Sequence, residues 1–190
     1  MDESTRKDQL IETALTLFSL EGFRAVGIDR LLAEAGVAKM TLYKHFRSKD
    51  ELVLAVLRRR DERWREWLHR SIEARAGDPR GRLLAVFDAL GEWFAEPEFR
   101  GCLFINVVAE YGGANEAARE LAAEHKRLMA GDLHALARAA GAKDPGTLAE
   151  HLALLVEGAI VVAQVCGRSE AARDARTAAE MLLLQHLPAA

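Results

Sequence analysis

The chain has 190 residues, of which 50% are hydrophobic and 29% are charged, and its formal net charge is −3. This length suits one large or two small domains, and a net acidic charge argues against a protein that binds nucleic acid regardless of sequence. The polar, acidic start of the chain predicts no signal peptide and a cytoplasmic location. In that compartment we expect no structural disulfide between Cys102 and Cys166.

The pattern of apolar residues favours an all-α fold, since prolines are few and β-branched runs are scarce. The first amphipathic stripe predicts a helix that ends at Gly22 and comprises Leu10, Ile11, Ala14, Leu15 and Phe18. The longest apolar run, Leu152 to Cys166, is interrupted by Glu157 and Gln164 and is too short to span a bilayer. We therefore expect no membrane partner.

Two short helices joined by a tight turn are predicted next. The first covers residues 28–35 and ends at Gly36, a residue that readily adopts the positive φ with which chains leave helices. The second covers residues 39–46 and buries Leu42 and Phe46, which are spaced i, i+4. Two short helices with a glycine-containing turn form a helix-turn-helix.

The charge around this segment favours DNA as its partner. Between Arg24 and Lys49 there are six basic residues against Asp29 and Glu34, a local balance of +4 on an acidic chain. Hydroxyl and ammonium groups on the second helix suit phosphate oxygens, and its exposed side chains can reach base edges or a thymine methyl. An ordinary helical hairpin with solvated lysines is the alternative.

The stretch AEAGVAKMTLYKHFRSKDELV resembles the DNA-binding segment of the TetR/AcrR family of bacterial transcriptional regulators. The family pattern is roughly A-G-V-x-x-x-T-L-Y-x-H-F-x-S-K-x-x-L, and this chain matches it at Ala35, Gly36, Val37, Thr41, Leu42, Tyr43, His45, Phe46, Ser48, Lys49 and Leu52. The similarity covers about residues 8–53. One departure is Gly27, where the family usually has Ser or Thr to cap the following helix.

The resemblance implies two domains, which we assign to residues 1–50 for DNA binding and 51–190 for effector binding and dimerisation. It implies three helices in the first and six in the second, which agrees with the nine helices that the apolar pattern predicts. The candidate DNA-binding residues are Asp29, Arg30, Lys39, Met40, Thr41, Tyr43, Lys44, His45 and Lys49.

A long fourth helix is predicted to begin at the capping box formed by Ser48 and Glu51 and to continue for about 28 residues. In the family, the residue that matches Lys49 contacts the DNA backbone, and a helix N-terminus suits a phosphate. The alternative is that Ser48 only caps the helix and Lys49 is solvated.

Polar residues on otherwise apolar helices point to a ligand site in the C-terminal part. Asn106 and Glu110 share one side of a short helix, and Glu157 and Gln164 share a face of the most apolar one. Burial costs on the order of 1–3 kcal/mol for each polar group without a partner, so these groups either satisfy one another or line a pocket. The candidate ligand-binding residues are Trp64, Trp93, Asn106, Glu110, Tyr111, His125, Met129, Glu157 and Gln164.

A homodimer is predicted because the helix ending near Cys166 is apolar nearly all round and must be covered on more than one side. The last helix offers a stripe of small residues, and the last two helices of each subunit would form a four-helix interface, as the resemblance also implies. The candidate interface residues are Leu152, Leu155, Val156, Ala159, Ala163, Ala172, Ala175, Ala179, Leu182 and Leu183.

Together these features predict a homodimeric repressor that a small, mostly apolar effector releases from an inverted-repeat operator, with no cofactor and no catalysis. A regulator that needs a bound co-repressor remains open. So does a small helical enzyme using Glu110, Tyr111 and His125, although no nucleophile–base motif occurs. Metal binding is not expected, because Cys102, Cys166, His125 and His134 lack a recognised ligand spacing. Both thiols lie in apolar runs, which argues against redox sensing.

Overall fold

The computed structural model describes residues 3–188, and every element within that range is helical, which confirms the predicted all-α fold. The nine α-helices are α1 (Glu3–Glu21), α2 (Ile28–Ala35), α3 (Lys39–His45), α4 (Lys49–Arg75), α5 (Pro79–Phe94), α6 (Leu103–Tyr111), α7 (Glu116–Ala139), α8 (Pro145–Cys166) and α9 (Ala171–His186). A short 3-10 helix, Gly112–Ala114, follows α6.

The chain divides into two compact units. The first comprises the residues up to Arg63 together with Cys102–His125, and the second comprises Trp64–Gly101 and Lys126–Ala190. The first unit therefore contains α6 and the beginning of α7 as well as α1 to α3. Helices α4 and α7 each begin in the first unit and end in the second. The assignment of residues 1–50 to DNA binding and 51–190 to effector binding and dimerisation stays a prediction.

In the first unit, α1 packs against α2 and α3 around a fully apolar core. Leu10, Phe18 and Leu42 are buried there, and the ring of Phe23 packs 5.0 Å from that of Phe18. Phe46, at the end of α3, is also buried. These contacts hold the two short helices on α1, because neither is long enough to be stable in water by itself.

The turn between α2 and α3 forms as the sequence indicates. Gly36 has φ of 62° and its amide bonds the Leu32 carbonyl, so this position requires a residue that tolerates left-handed backbone. Gly27 makes no side-chain cap on α2. At the start of α4, Ser48 Oγ accepts the Glu51 amide at 3.2 Å. The Glu51 carboxylate accepts the Arg47 amide at 2.7 Å, one residue earlier than in a standard capping box.

In the second unit, α9 packs along both α8 and α5. Asp78 and Asp144 cap α5 and α8 through bonds to the Gly81 and Thr147 amides, and each is followed by proline at the first helical position. Hydrogen bonds to Thr147 lower the pKa of Asp144 below its usual value.

Helix α8 is longer than the apolar run predicted from the sequence. It has 22 residues and a mean hydropathy of 1.6 in its most apolar window. The whole helix is therefore long and apolar enough to cross a membrane, whereas the predicted run from Leu152 was too short. The same helix buries Leu148, Leu152 and Ile160. Since it packs against α5 and α9, it has the surroundings of a core helix.

Candidate functional site

Helix α3 carries most of the side chains that the sequence predicts to contact DNA. Met40 is 84% exposed and Tyr43 is 48% exposed, which is unusual for side chains of this size on a seven-residue helix. Lys39 and Lys44 are also exposed, whereas Thr41 and His45 are half-buried. The large side chains point away from the core because Leu42 occupies the inward position between them.

Exposed ion pairs surround this surface on α2. Arg30 lies 3.4 Å from a Glu21 oxygen and 3.3 Å from a Glu34 oxygen, and the Lys39 ammonium lies 4.0 Å from Asp29. Exposed pairs of this kind are worth ~1 kcal/mol or less, so a phosphate oxygen can replace the carboxylate partner at little cost.

Lys49 differs from its prediction as an exposed phosphate ligand. Its ammonium donates a hydrogen bond to the carbonyl oxygen of Phe23 and lies 5.7 Å from the centroid of the Phe18 ring. Burial lowers the pKa of Lys49, and the charges of Glu110 and Asp50 oppose that effect. The lysine therefore ties the start of α4 to the turn between α1 and α2, inside the unit that it was expected to extend toward DNA.

The nine residues predicted to line one ligand pocket do not form one group, because they divide between the two units. Those in the first unit are Asn106, Glu110, Tyr111 and His125, and those in the second are Trp64, Trp93, Met129, Glu157 and Gln164.

In the first unit these polar groups bond to protein atoms. The Glu110 carboxylate accepts the amides of Phe23 and Arg24, at 3.0 and 2.8 Å. His125 is 4% exposed, its Nδ1 lies 2.7 Å from the Asp61 carboxylate, and its ring stacks on Phe104 at 3.9 Å. Here the alternative reading, that the polar residues satisfy buried partners, is the one that the geometry favours.

In the second unit, the predicted residues are spread over separate contacts. Trp64 and Trp93 pack edge to face with ring centroids 5.6 Å apart. Glu157 receives two hydrogen bonds from the Lys126 ammonium, at 2.7 and 2.8 Å. The carboxamide of Gln164 lies directly against Gly101, where a Cβ atom would collide with it.

The second unit contains a cleft of about 210 Å³ between α4, α5 and α7. Of the nine predicted residues, Met129 is the one that lines it. Its apolar lining consists of Leu68, Ile72, Val86, Met129, Leu133, Ala135 and Leu136, and its polar lining consists of His69, Glu73, Arg82 and Asp132. Sequence reasoning missed this cleft because its apolar residues follow ordinary core spacing on three separate helices.

The polar atoms that line the cleft belong to a few side chains. His69 Nε2 lies 2.9 Å from an Asp132 oxygen, and the Arg82 Nε donates to the Ala76 carbonyl at 3.1 Å. Such a combination of apolar walls with a few polar groups is characteristic of small-molecule sites.

The residues predicted for the dimer interface lie mostly on the inner sides of α8 and α9. Eight of the ten are at most 8% exposed in the single chain, namely Leu152, Val156, Ala159, Ala163, Ala172, Ala175, Ala179 and Leu183. Leu155 and Leu182 are half-buried. Because α8 is apolar nearly all round, hydrophobicity does not distinguish its inner from its outer face, and the small-residue stripe of α9 packs inward.

A different stripe on α8 and α9 is apolar and exposed. Leu154, Val161 and Val165 are 70%, 42% and 77% exposed, and Met181 and Leu184 are each 66% exposed. Their spacing puts the α8 residues on one helical face and the α9 residues on another. We call these five residues the outer apolar face.

The two cysteines have different surroundings. Cys102 is buried, as the apolar run around it indicates, whereas Cys166 is exposed at the end of α8, contrary to the expectation. Among the described residues, no group of three or more His, Cys, Asp or Glu side chains has a geometry that could hold a metal ion.

Family comparisons agree with the resemblance in both halves of the chain. A family described as bacterial regulatory proteins, tetR family, matches residues 10–56. A second, described as tetracyclin repressor-like, C-terminal domain, matches residues 79–179.

Individual relatives are regulators of either sign. The chain is 36% identical over 96 residues to the transcriptional activator FasR of Mycolicibacterium smegmatis, a match that covers 50% of this chain and 43% of FasR. It is 29% identical over 118 residues to the transcriptional repressor NemR of Escherichia coli, covering 62% of this chain and 59% of NemR. The matches thus span less than two thirds of either relative.

A solved structure matches nearly the whole fold. A TetR-family transcriptional regulator from Streptomyces coelicolor is 30% identical and has a TM-score of 0.88, and the match covers 96% of both chains.

Proposed function

Because this chain belongs to the TetR family of bacterial regulatory proteins, we propose that it is a cytoplasmic, homodimeric and ligand-responsive transcriptional repressor. The observation that carries the proposal is the exposure of Met40 and Tyr43 on α3, directly after the glycine turn of a helix-turn-helix. Large exposed side chains at this place suit the major groove of DNA.

A dimer built on the outer apolar face would bind an inverted-repeat operator. Exposed apolar side chains on two adjacent helices are expected to be covered by a partner, and a second copy supplies the same surface about a two-fold axis. Two reading helices one duplex turn apart, about 34–36 Å, would then meet two half-sites. One short helix makes few base contacts, so doubling them supplies much of the sequence specificity.

The cleft between α4, α5 and α7 is the proposed effector site, in place of the set predicted from the sequence. Its walls suit a small, mostly apolar ligand, and Arg82 with the His69–Asp132 pair can orient a polar group. To change the DNA-competent population from 99:1 to 1:99, the effector must prefer the released state by about 10⁴-fold.

Operator binding can be tested by capturing genomic fragments with the purified protein and footprinting those that are enriched. We expect protection of a short inverted repeat. Tyr43→Ala should weaken binding to that repeat at least about 30-fold, since each lost base contact costs ~1 kcal/mol or more and the dimer loses two. The control is Arg138→Ala, a substitution at an exposed position on α7, which should bind the repeat with wild-type affinity. Enrichment of fragments without a shared repeat would contradict the proposal.

The outer apolar face can be tested separately by sedimentation. The double substitution Leu154→Asp and Met181→Asp should yield monomers that no longer protect the operator, whereas Arg138→Asp should remain dimeric. A dimer that persists in the double variant would show that the interface lies elsewhere.

The sign of regulation is a separate measurement, because a co-repressor-dependent regulator and an activator use the same reading surface. Transcription from a reporter that carries the footprinted operator should rise when the gene is deleted. A fall in transcription would identify an activator. The enzyme alternative is not proposed: the carboxylate of Glu110 holds backbone amides, and His125 is buried against Phe104.

A further inference from the structure

The peptide segment that leaves α1 is held by a side chain from a helix much later in the chain. Gly22 has φ of +91°, and the chain turns there toward α2. The next two amides, of Phe23 and Arg24, both point at the Glu110 carboxylate in the last turn of α6. Each carboxylate oxygen accepts one amide, at 3.0 and 2.8 Å. We call this arrangement the Glu110 clasp.

Gly22 leaves room for the clasp. A Cβ atom at this position would lie 3.0 Å from one Glu110 oxygen and 3.3 Å from the other. The positive φ favours glycine, and the close carboxylate leaves little room for a Cβ atom, so the turn and the side chain that holds it fit each other.

Phe23 is held from more than one direction. Its amide bonds Glu110 of α6, and its carbonyl accepts the ammonium of Lys49 at the start of α4. Its ring lies 6.2 Å from that of Tyr111, in an edge-to-face arrangement. The residue that precedes the reading helices is thus fixed by two other helices of the same unit.

The α6 helix is a short element with a glycine near each end. It has nine residues, and both Gly101 before it and Gly112 after it have positive φ. The Tyr111 hydroxyl beside Glu110 is hydrogen-bonded to Asp50 of α4, which adds a second link at the same end of the helix. A displacement of α6 would consequently act on the turn before α2 through the clasp, without first requiring α4 to tilt.

We propose that Glu110 is a positioning residue for DNA binding, and that the Glu110 clasp lets α6 set the orientation of the turn that leads into the helix-turn-helix. This inference rests on the proposed function and specifies how its regulation reaches the reading surface. Glu110 does not contact DNA. It acts by keeping the Phe23–Arg24 amides, and with them the beginning of α2, in the binding-competent arrangement.

The substitution Glu110→Gln isolates the clasp at constant side-chain size. A carboxylate has two acceptor oxygens, whereas an amide offers one oxygen and opposes the second backbone N–H with its own NH₂ group. Glu124→Gln is the matched control, an exposed position on α7 of the same unit. Asn115→Ala is a second control, since it removes the α7 cap at Ala118 and weakens the same unit without touching the turn.

Two measurements on the full-length protein test the role of the Glu110 clasp. Hydrogen exchange of the Phe23 and Arg24 amides should accelerate in Glu110→Gln and stay at the wild-type rate in Glu124→Gln. Affinity for the footprinted operator should fall about tenfold in Glu110→Gln, as expected if the competent turn is populated about one time in ten. Asn115→Ala should keep its operator affinity despite a lower melting temperature, which distinguishes positioning from simple destabilisation.

Other results would contradict the inference or the proposed function. Wild-type exchange rates or operator affinity within twofold of wild type in Glu110→Gln would overturn the inference. Equal losses of affinity in Glu110→Gln and Asn115→Ala would reduce Glu110 to a stabilising residue. If the wild-type dimer bound no operator at all, the proposed function would fail. The exchange measurement would still decide whether Glu110 restrains the turn.

Discussion

Two histidine–aspartate pairs join the same two helices, one pair in each unit. In the first unit, Asp61 of α4 bonds His125 of α7, and the histidine is buried and stacked on Phe104. In the second unit, His69 of α4 bonds Asp132 of α7, with side chains that are 48% and 38% exposed. The aspartate is on α4 and the histidine on α7 in the first pair, and the reverse holds in the second. The distances from the ring nitrogen to the carboxylate oxygen, 2.7 and 2.9 Å, are nearly equal.

The difference lies in what surrounds each pair. A buried pair is separated from water and strengthens as the local dielectric falls, whereas an exposed pair competes with water and is worth little. The His125 pair therefore holds helices together, while the His69 pair lines a cleft where its groups remain available to a ligand. Two hydrogen bonds of nearly equal length can therefore have different roles.

The largest effect is expected for His125→Ala, which removes both the bond and the stacking. A hydrogen bond to a charged group contributes ~1.5–3 kcal/mol and an aromatic pair ~0.5–1.5 kcal/mol, so the variant should lose roughly 2–4 kcal/mol of unfolding free energy. Urea denaturation measures this loss. His125→Phe keeps a ring over Phe104 and should recover part of it. A loss below ~1 kcal/mol in His125→Ala would mean that burial adds nothing to the pair.

An intermediate effect on the free energy of unfolding is expected from the half-buried Tyr111, and it appears at alkaline pH. Burial raises the pKa of Tyr111 to about 12, and the charges of Asp50 and Glu110 with a hydrogen bond to Asp50 add to the rise. An unfolded tyrosine ionises near pH 10, so between pH 10 and about 12 the folded chain keeps a proton that the unfolded chain loses. The contribution of this group is complete below pH 10 and is lost as the pH rises through that window.

Tyr111→Phe removes this titration, so its stability should decline less steeply above pH 10. Because the phenol is only partly buried, solvent screening reduces the difference to about 1 kcal/mol between pH 10 and 12. Chemical denaturation at several pH values compares the two slopes. Parallel slopes for the variant and the wild type would show that Tyr111 ionises equally in the folded and unfolded chains.

The smallest effect is expected for His69→Ala. Since the His69–Asp132 pair is exposed, its loss should change the unfolding free energy by no more than about 0.5 kcal/mol, measured as for His125→Ala. If His69→Ala is as costly as His125→Ala, exposure does not distinguish the two pairs and the second is structural as well.

The features that could be predicted from the sequence depend on neighbours within a few positions. The Gly36 turn and the Ser48 cap follow from residues at most four positions apart, and both occur as expected. The return bond of the predicted capping box differs, because the Glu51 carboxylate accepts the Arg47 amide. The Glu110 clasp could not be predicted in this way, because its partner amide lies 87 positions earlier in the chain. A half-buried glutamate on an apolar helix indicates that a partner is needed without indicating which one.

The dimer face illustrates a second limit. Leu152 and Leu154 are equally apolar and lie two positions apart on α8, yet one is buried against its own chain and the other is 70% exposed. Which face is internal depends on where α5 and α9 pack, and hydrophobicity does not encode that choice in a helix that is apolar all round. The predicted ligand residues divide between the two units for a related reason, since polar groups were grouped by residue type rather than by the unit that contains them.

The continuity of α4 and α7 has a consequence for how the protein unfolds. Each helix has roughly half its length on either side of the division after Arg63 or His125, and half-helices of this size are marginal in water without tertiary packing. Melting one unit would fray helices on which the other depends. We therefore expect a single cooperative transition, and fragments cut at residue 50 or 63 should be largely unstructured. Folding cooperativity, rather than a flexible linker, would then join the two units of this chain.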